Sequence, residues 1–314
     1  MTALLDPAVL AKIKPLGLRA QRIAEGLWSG LHSSRLKGAS LEFSEHKQYN
    51  PGDELRHLDW KVLAKSDRLF VKQFENETNI QAVFVVDTSG SMGYCSGGTP
   101  AGGTADSAAS LPPGSAAVSK LSYSVSLAAA LAWLLKEQQD AVGLAAGAGG
   151  LAGYLPPRRG PKQLAQLFER LESLRAGSGS SLAALCRPVL ESQTRKTLVA
   201  VFTDFLGETE EDWALLRQFR SRGNEVVLFH ILDPFEITFP FNQWSDFEGL
   251  EGEAPVQVDP EAQRESYLRR FRVFLEGVER RCVENEIHYV RTTTDEPLDG
   301  PLTRYLVSRR NRRT

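Results

Sequence analysis

Four segments of this chain are apolar almost without a break and stop abruptly at an aspartate or a glycine: IQAVFVVD (80–87), AVGLAAG (141–147), TLVAVFTD (197–204) and NEVVLFHILD (224–233). A strand with one wet face alternates apolar and polar residues, whereas a strand covered on both faces runs continuously apolar. Between these segments the period changes to that of a helix. SKLSYSVSLAAALAWLLKEQQ (119–139) carries Leu121, Val125, Ala128, Leu131, Ala132 and Leu135 at three-and-four spacing, PKQLAQLFERLESL (161–174) opens on proline, and EEDWALLRQFRSRG (210–223) closes on glycine. SLAALCRPVLES predicts a further helix, kinked or broken near Pro188. After a loop or hairpin from Pro234 to Pro260, a long helix (261–286) and a last strand, IHYVRTTT (287–294), follow. The expected fold is α/β: a doubly wound, mostly parallel sheet with helices on both faces.

Residues 1–79 do not share that rhythm. They predict an N-terminal helix (roughly 7–25), a type II turn at Asn50-Pro51-Gly52-Asp53 and a half-buried strand, RLFVKQFE (68–75). We therefore divide the chain into an accessory region (1–79) and a main domain (80–314). Within the latter, residues 96–119 are nearly all Gly, Ala, Ser, Thr and Pro, a composition with too little apolar area to offset its ordering entropy, and we expect a mobile loop there.

With 314 residues, 42% of them hydrophobic, the chain can build a substantial core. A formal net charge of −2 gives no global field for nucleic acid. Three cysteines, Cys95, Cys186 and Cys282, are too dispersed for a disulfide framework or a zinc ribbon, which suits a reducing compartment. No signal peptide is evident, and the most apolar stretch (127–135) is too short to span a bilayer, so we expect a cytoplasmic protein without a membrane span.

The chemistry gathers where strands end. Ligands of parallel α/β sheets bind outside the carboxyl ends of the strands, and two of these strands end in Asp87 and Asp204. Asp87-x-Ser89-x-Ser91 sets three oxygen side chains along one tight turn. Two carboxylates brought together repel unless a cation lies between them, and hydroxyl and carboxylate oxygens are hard ligands that suit Mg²⁺ or Mn²⁺.

VFVVDTSGSMG followed by VFTDFLG resembles the von Willebrand factor A fold and its metal-ion-dependent adhesion site. LEFSEHKQYNPGDELRHLDWKVLAKSDRLFVKQFENE, with Glu42-Phe43, Tyr49, Pro51-Gly52-Asp53, Arg56, Asp59-Trp60 and Arg68-Leu69, resembles the bacterial family known as domain of unknown function 58, associated with MoxR-type ATPases; the likeness covers about residues 26–235. It implies that Asp87, Ser89 and Ser91 form the first ligand loop of a Mg²⁺ (or Mn²⁺) site and Asp204 the last. The middle ligand would come from Gly179-Ser180-Ser181-Leu182, with Ser180 at the usual threonine position; whether Ser180 or Ser181 serves stays open. It also implies a non-enzymatic adaptor that works with a MoxR-type AAA+ ATPase in chaperone-like assembly or activation of a client protein.

The alternative is a metal-dependent hydrolase, a phosphatase or esterase using Asp87 and Asp204 to hold the metal. Against it, the first loop lacks a D-x-D pair, and the five histidines, His32, His46, His57, His230 and His288, lie near neither strand end in sequence. Gly147-Ala148-Gly149-Gly150-Leu151-Ala152 fits G-x-G-x-x-A, but Pro156-Pro157 forbids the helix a dinucleotide site requires, leaving a turn or short hairpin. No G-x-S-x-G elbow surrounds Ser89 or Ser91. Arg158-Arg159 and the terminal SRRNRRT predict solvated surface.

Overall fold

The computed structural model describes residues 16–33, 46–48, 70–72, 80–96, 118–147, 153–177, 181–242, 244–247, 249–250 and 255–311. Its elements are α1 (Leu16–Ser33), β1 (His46–Gln48), β2 (Phe70–Lys72), β3 (Gln81–Val86), α2 (Lys120–Glu137), β4 (Ala141–Ala146), β5 (Tyr154–Arg158), α3 (Pro161–Ser173), α4 (Leu182–Ser192), β6 (Thr197–Thr203), α5 (Glu210–Ser221), β7 (Glu225–Leu232), α6 (Pro234–Thr238), β8 (Ser245–Phe247), β9 (Val256–Val258), α7 (Pro260–Glu284), β10 (His288–Thr293) and α8 (Asp299–Asn311). Residues 1–28 and 80–314 form one compact unit and 29–79 a second. In the second, β1 and β2 pair antiparallel, His46 opposite Lys72. The expected turn at 50–53, with Asp53, Arg56, Asp59 and Trp60, lies outside the described residues, as does most of the expected loop 96–119.

The main sheet has six strands in the order β10-β7-β6-β3-β4-β5. All neighbours are parallel except β4 and β5. This is the predicted doubly wound α/β architecture. From β3 the chain winds outward to β4 on one side and, after returning, from β6 to β7 to β10 on the other. The strand order therefore reverses between β3 and β6, which is where such sheets open a crevice.

Burial explains the continuous apolar runs. Alternate residues of one strand feed two cores: Val83 and Val85 pack with Leu185, Val189, Trp213, Leu216, Phe219, Val278 and Cys282 of α4, α5 and α7. Phe84 faces the opposite way and begins an aromatic row, with ring centroids 6.2 Å to Phe202, 4.9 Å from Phe202 to Phe229 and 5.8 Å from Phe229 to Tyr305 of α8. Helix α2 lies on that second face, and its residues are buried almost all round, so the apolar stretch that is too short for a membrane is a core helix. Burying such side chains contributes about 1.5–3 kcal/mol each, before conformational entropy is set against it.

Edge strand β5 accommodates Pro156-Pro157 because an outer strand needs no partner for its missing donors. The prolines approach β4 so closely that a Cβ on Gly143 would sit 2.6 Å from the Leu155 carbonyl oxygen. Only glycine fits there, and the register slips between Val142 and Leu144. Residues 148–152 lie outside the described residues, but Tyr154–Arg158, where a dinucleotide site would have its helix, is instead a strand antiparallel to β4.

Three local expectations are corrected. Helix α4 runs unbroken through Pro188, since only one hydrogen bond is lost while Leu185, Cys186, Val189 and Leu190 remain buried. The N-terminal helix extends past residue 25: its described part is Leu16–Ser33, where Leu16, Ala20, Ile23, Ala24 and Leu27 make a buried stripe, and the expected start at 7 lies outside the described residues. The basic C-terminus is not all solvated tail: α8 buries Leu302 and Tyr305, and Arg309 Nε is 3.0 Å from Glu225 Oε2.

Candidate functional site

Strands β3 and β6 pair in parallel with Val86 beside Phe202. The ladder continues one residue further, Asp87 N–H donating to Phe202 O at 3.0 Å. Asp87 thus leaves its strand beside Thr203 and Asp204. Its Oδ1 accepts the Ser89 N–H (2.9 Å) and its Oδ2 the Thr203 hydroxyl (2.7 Å). Thr203 Oγ1 in turn accepts the Phe205 N–H at 2.9 Å, fixing the hydroxyl between the two turns. Asp204 repeats the local pattern, Oδ1 accepting the Leu206 N–H at 3.1 Å. Asp and its short side chain favour such turns at strand ends.

The next turn is a 3₁₀ segment, Gly90–Gly93, anchored by the buried Met92. It holds Ser89 Oγ and Ser91 Oγ 3.1 Å apart, at hydrogen-bonding distance. The same spacing is close to the roughly 3.0 Å edge of an octahedron whose metal–oxygen bonds are about 2.1 Å. Asp87, Ser89 and Ser91 are therefore brought together as expected. Ser180 lies outside the described residues. Ser181 caps α4, its Oγ accepting the Ala184 N–H at 3.2 Å.

Asp204 differs. Its Oδ2 lies 2.7 Å from Nζ of Lys120, the first residue of α2, and both side chains are essentially inaccessible. The same ammonium pairs with Glu236 Oε1. Glu236 closes the N-terminal capping box of α6, its other oxygen accepting the Asp233 N–H at 2.7 Å. Asp233 Oδ2 also accepts the Ser96 N–H at 2.8 Å. Residues 96 and 120, which bracket the predicted loop, are thus both tied to α6.

Electrostatics follow from these partners. Burial raises the Asp87 carboxyl above the ordinary range, opposed by the Thr203 and Ser89 donors and reinforced by the charge of Asp204. At Lys120 burial favours loss of the proton, yet Asp204 and Glu236 outweigh it and hold the ammonium above the usual lysine value. Burial also lifts Glu236, against the pull of Lys120.

Lys120 and Glu236 were not among the residues sequence reasoning picked out. The available signal was a single lysine at the head of a helix that is otherwise apolar or small-polar for four turns. A second correction concerns histidine: β7 places His230 opposite Thr203, with Nε2 2.7 Å from the Asp204 carbonyl oxygen and Nδ1 2.9 Å from the Tyr289 hydroxyl. One histidine therefore does lie at a strand end. Burial pushes it down to about 4, so it is neutral at pH 7, with Nε2–H donating to the carbonyl and Nδ1 accepting from Tyr289. Both nitrogens are occupied by protein.

Among the described residues no three His, Cys, Asp or Glu side chains group to hold a metal. Among the described residues, a cation beside Asp87 would draw on the hydroxyls of Ser89 and Ser91. The donors fit on the Asp87 side: its partners are neutral, and hard oxygens converge there. They fit less well at Asp204, already faced by an ammonium. Beside the rim, with Ser91, Lys120 and Glu236 in its wall, opens a cavity of about 830 Å³ lined by aromatic rings including Phe235, Phe239 and Phe271.

Fold and rim together define a doubly wound α/β protein with paired acidic strand ends at its topological switch point. The chain belongs to the family described as protein of unknown function DUF58, whose model matches residues 45–103 and 103–274. It is 24% identical over 312 residues, covering 97% of this chain and 91% of the relative, to uncharacterised proteins Rv1480 of Mycobacterium tuberculosis and Mb1516 of Mycobacterium bovis. Among solved structures it is similar to the conserved hypothetical protein BatB from Bacteroides thetaiotaomicron (TM-score 0.43, 13% identity, covering 73% of this chain and 96% of that one). It is also similar to an aerotolerance-related membrane protein from Bacteroides fragilis, carrying multiple mutations to serine (TM-score 0.43, 15% identity, covering 75% and 100%). No helix among the described residues of the present chain is long and apolar enough to cross a membrane.

Proposed function

We propose that this protein is a non-enzymatic interaction module whose Asp87, Ser89 and Ser91 hold a divalent cation, Mg²⁺ or Mn²⁺, at which a partner protein docks. The observation that carries the reading is the junction of β3 and β6, where a buried carboxylate with only neutral donors stands beside two converging hydroxyls. When bound, the ion supplies a positive charge that a partner's carboxylate can complete. The adjoining cavity, open and lined by aromatic rings, supports docking of a protein, because apolar pockets anchor side chains at interfaces. The partner we infer, from the family resemblance, is a MoxR-type AAA+ ATPase, the pair acting in chaperone-like assembly or activation of a client.

A hydrolase would need a base near the ion, and the histidine at this rim has both nitrogens committed. The test is affinity purification of the tagged protein from its native cell with and without Mg²⁺, alongside Asp87→Ala. Recovery of an AAA+ ATPase that needs both Mg²⁺ and Asp87 is expected. Recovery indifferent to both, or Mn²⁺-dependent turnover of generic phosphate or ester substrates by the purified protein, would sink the proposal.

A further inference from the structure

Two carboxylates end adjacent strands, and a third, Glu236, stands across from Asp204. Buried charges persist only when paired. Asp204 and Glu236 share the Lys120 ammonium, which is wholly enclosed and delivered by the first residue of α2. Asp204 Oδ1 accepts the Leu206 N–H and Oδ2 the Lys120 ammonium, whereas both donors to Asp87 are neutral. A divalent ion ligated by Asp204 would have to sit against that ammonium, and like charges at contact distance repel strongly in a medium of low polarisability. Tyr94 closes the space further: its carbonyl accepts the Lys120 N–H at 3.2 Å, and its ring centre lies 5.8 Å from Nζ.

We infer that Lys120 is the resident counter-ion of Asp204 and Glu236, so that a divalent ion at this rim is held by Asp87, Ser89 and Ser91 without a bond to Asp204. The site is then asymmetric, with a built-in monovalent cation on one strand end and a place for an exchangeable divalent one on the other. The inference rests on the cation reading only for its second half. Lys120 would also set a ceiling on metal affinity, because its charge disfavours any ion drawn toward the shared rim.

Mn²⁺ titration of the full chain, read by electron paramagnetic resonance, tests this. Asp87→Asn is expected to weaken binding at least tenfold, Asp204→Asn less than threefold, and Lys120→Met to tighten it at least tenfold by freeing two carboxylates. Weakening by Asp204→Asn as severe as that by Asp87→Asn overturns the inference. A folded Lys120→Met protein with unchanged affinity does so as well. The ¹⁵N ammonium resonance of Lys120, identified by its loss in Lys120→Arg, gives a second measurement on the unaltered protein. It should be sharp at pH 7 and persist in saturating Mg²⁺; a signal lost to solvent exchange without metal, or removed by Mg²⁺, refutes the counter-ion. Absence of Mn²⁺ binding in the unaltered protein would defeat the docking proposal, while the Lys120 resonance would still decide the counter-ion.

Discussion

Asp87 and Asp204 leave adjacent parallel strands at the same rim, and each accepts the N–H of the residue two positions on. Their surroundings are opposite. Asp87 is met by a hydroxyl and a backbone amide, both neutral, so burial leaves its charge uncompensated and its proton affinity raised. Asp204 meets an ammonium within a closed ion-pair cluster. The same amino acid in the same local turn becomes a candidate ligand on one strand and half of a structural pair on the other. What distinguishes them is the element that crosses above: α2 brings Lys120 to Asp204, and nothing among the described residues brings a cation to Asp87.

The sharpest way to break the contrast is to remove the ammonium. Lys120→Ala leaves two carboxylates buried against each other and is expected to cost about 3–5 kcal/mol in denaturant unfolding, since removing one member of a buried pair exposes the full desolvation penalty of the other. Combining Lys120→Met with Asp204→Asn and Glu236→Gln should restore most of that loss; no restoration would mean that packing, not charge, was at stake.

Next in size is a pH effect on the same side of the rim. His230 is held neutral with its pKa near 4 in the fold, against about 6.5 when unfolded. Between those values the unfolded chain binds the extra proton, so this contribution is complete above about pH 6.5 and falls away as pH drops toward 4, by about 3 kcal/mol in all. His230→Phe should flatten that share of the stability profile between pH 7 and 4, whatever it does to stability at pH 7.

On the Asp87 side, Thr203→Val deletes the donor to Oδ2 and the acceptor of the Phe205 N–H. A loss of about 1–3 kcal/mol is expected by chemical denaturation, the cost of leaving buried polar groups unsatisfied. Ser89→Ala should be the mildest change, below about 1 kcal/mol in stability because the residue is only partly buried, yet it should weaken Mn²⁺ binding severalfold in calorimetry. A large stability loss with unaltered binding would make Ser89 a turn residue and erase the difference between the two halves.

Much of this was legible in the residues themselves. Strands β3, β4, β6 and β7 are local apolar runs and β10 is read from IHYVRTTT, whereas β5, YLPPR, has no strand pattern of its own and forms as the antiparallel partner of β4; each helix on the sheet's faces other than α8 has a local period, and the D-x-S-x-S turn lies within a few residues of its strand. Helix α8 escaped notice because Leu298, Leu302 and Tyr305 are sparse among arginines, and only their burial against β7 and β10 makes the segment a helix of the core. Helix α4 survives Pro188 for the same reason, packing outweighing one missing hydrogen bond.

The amino-acid sequence alone determined that this chain forms a doubly wound sheet and that the strands before Asp87 and Asp204 end in aspartate, because strand and turn preferences are set by neighbouring residues. Only the tertiary structure decided that those ends adjoin, that a lysine 84 residues from Asp204 and 116 from Glu236 neutralises both, and that His230 fills the space behind. Charge pairing acts through distance in space, and in this fold the nearest cation to a buried carboxylate is supplied by a helix on the far side of a loop.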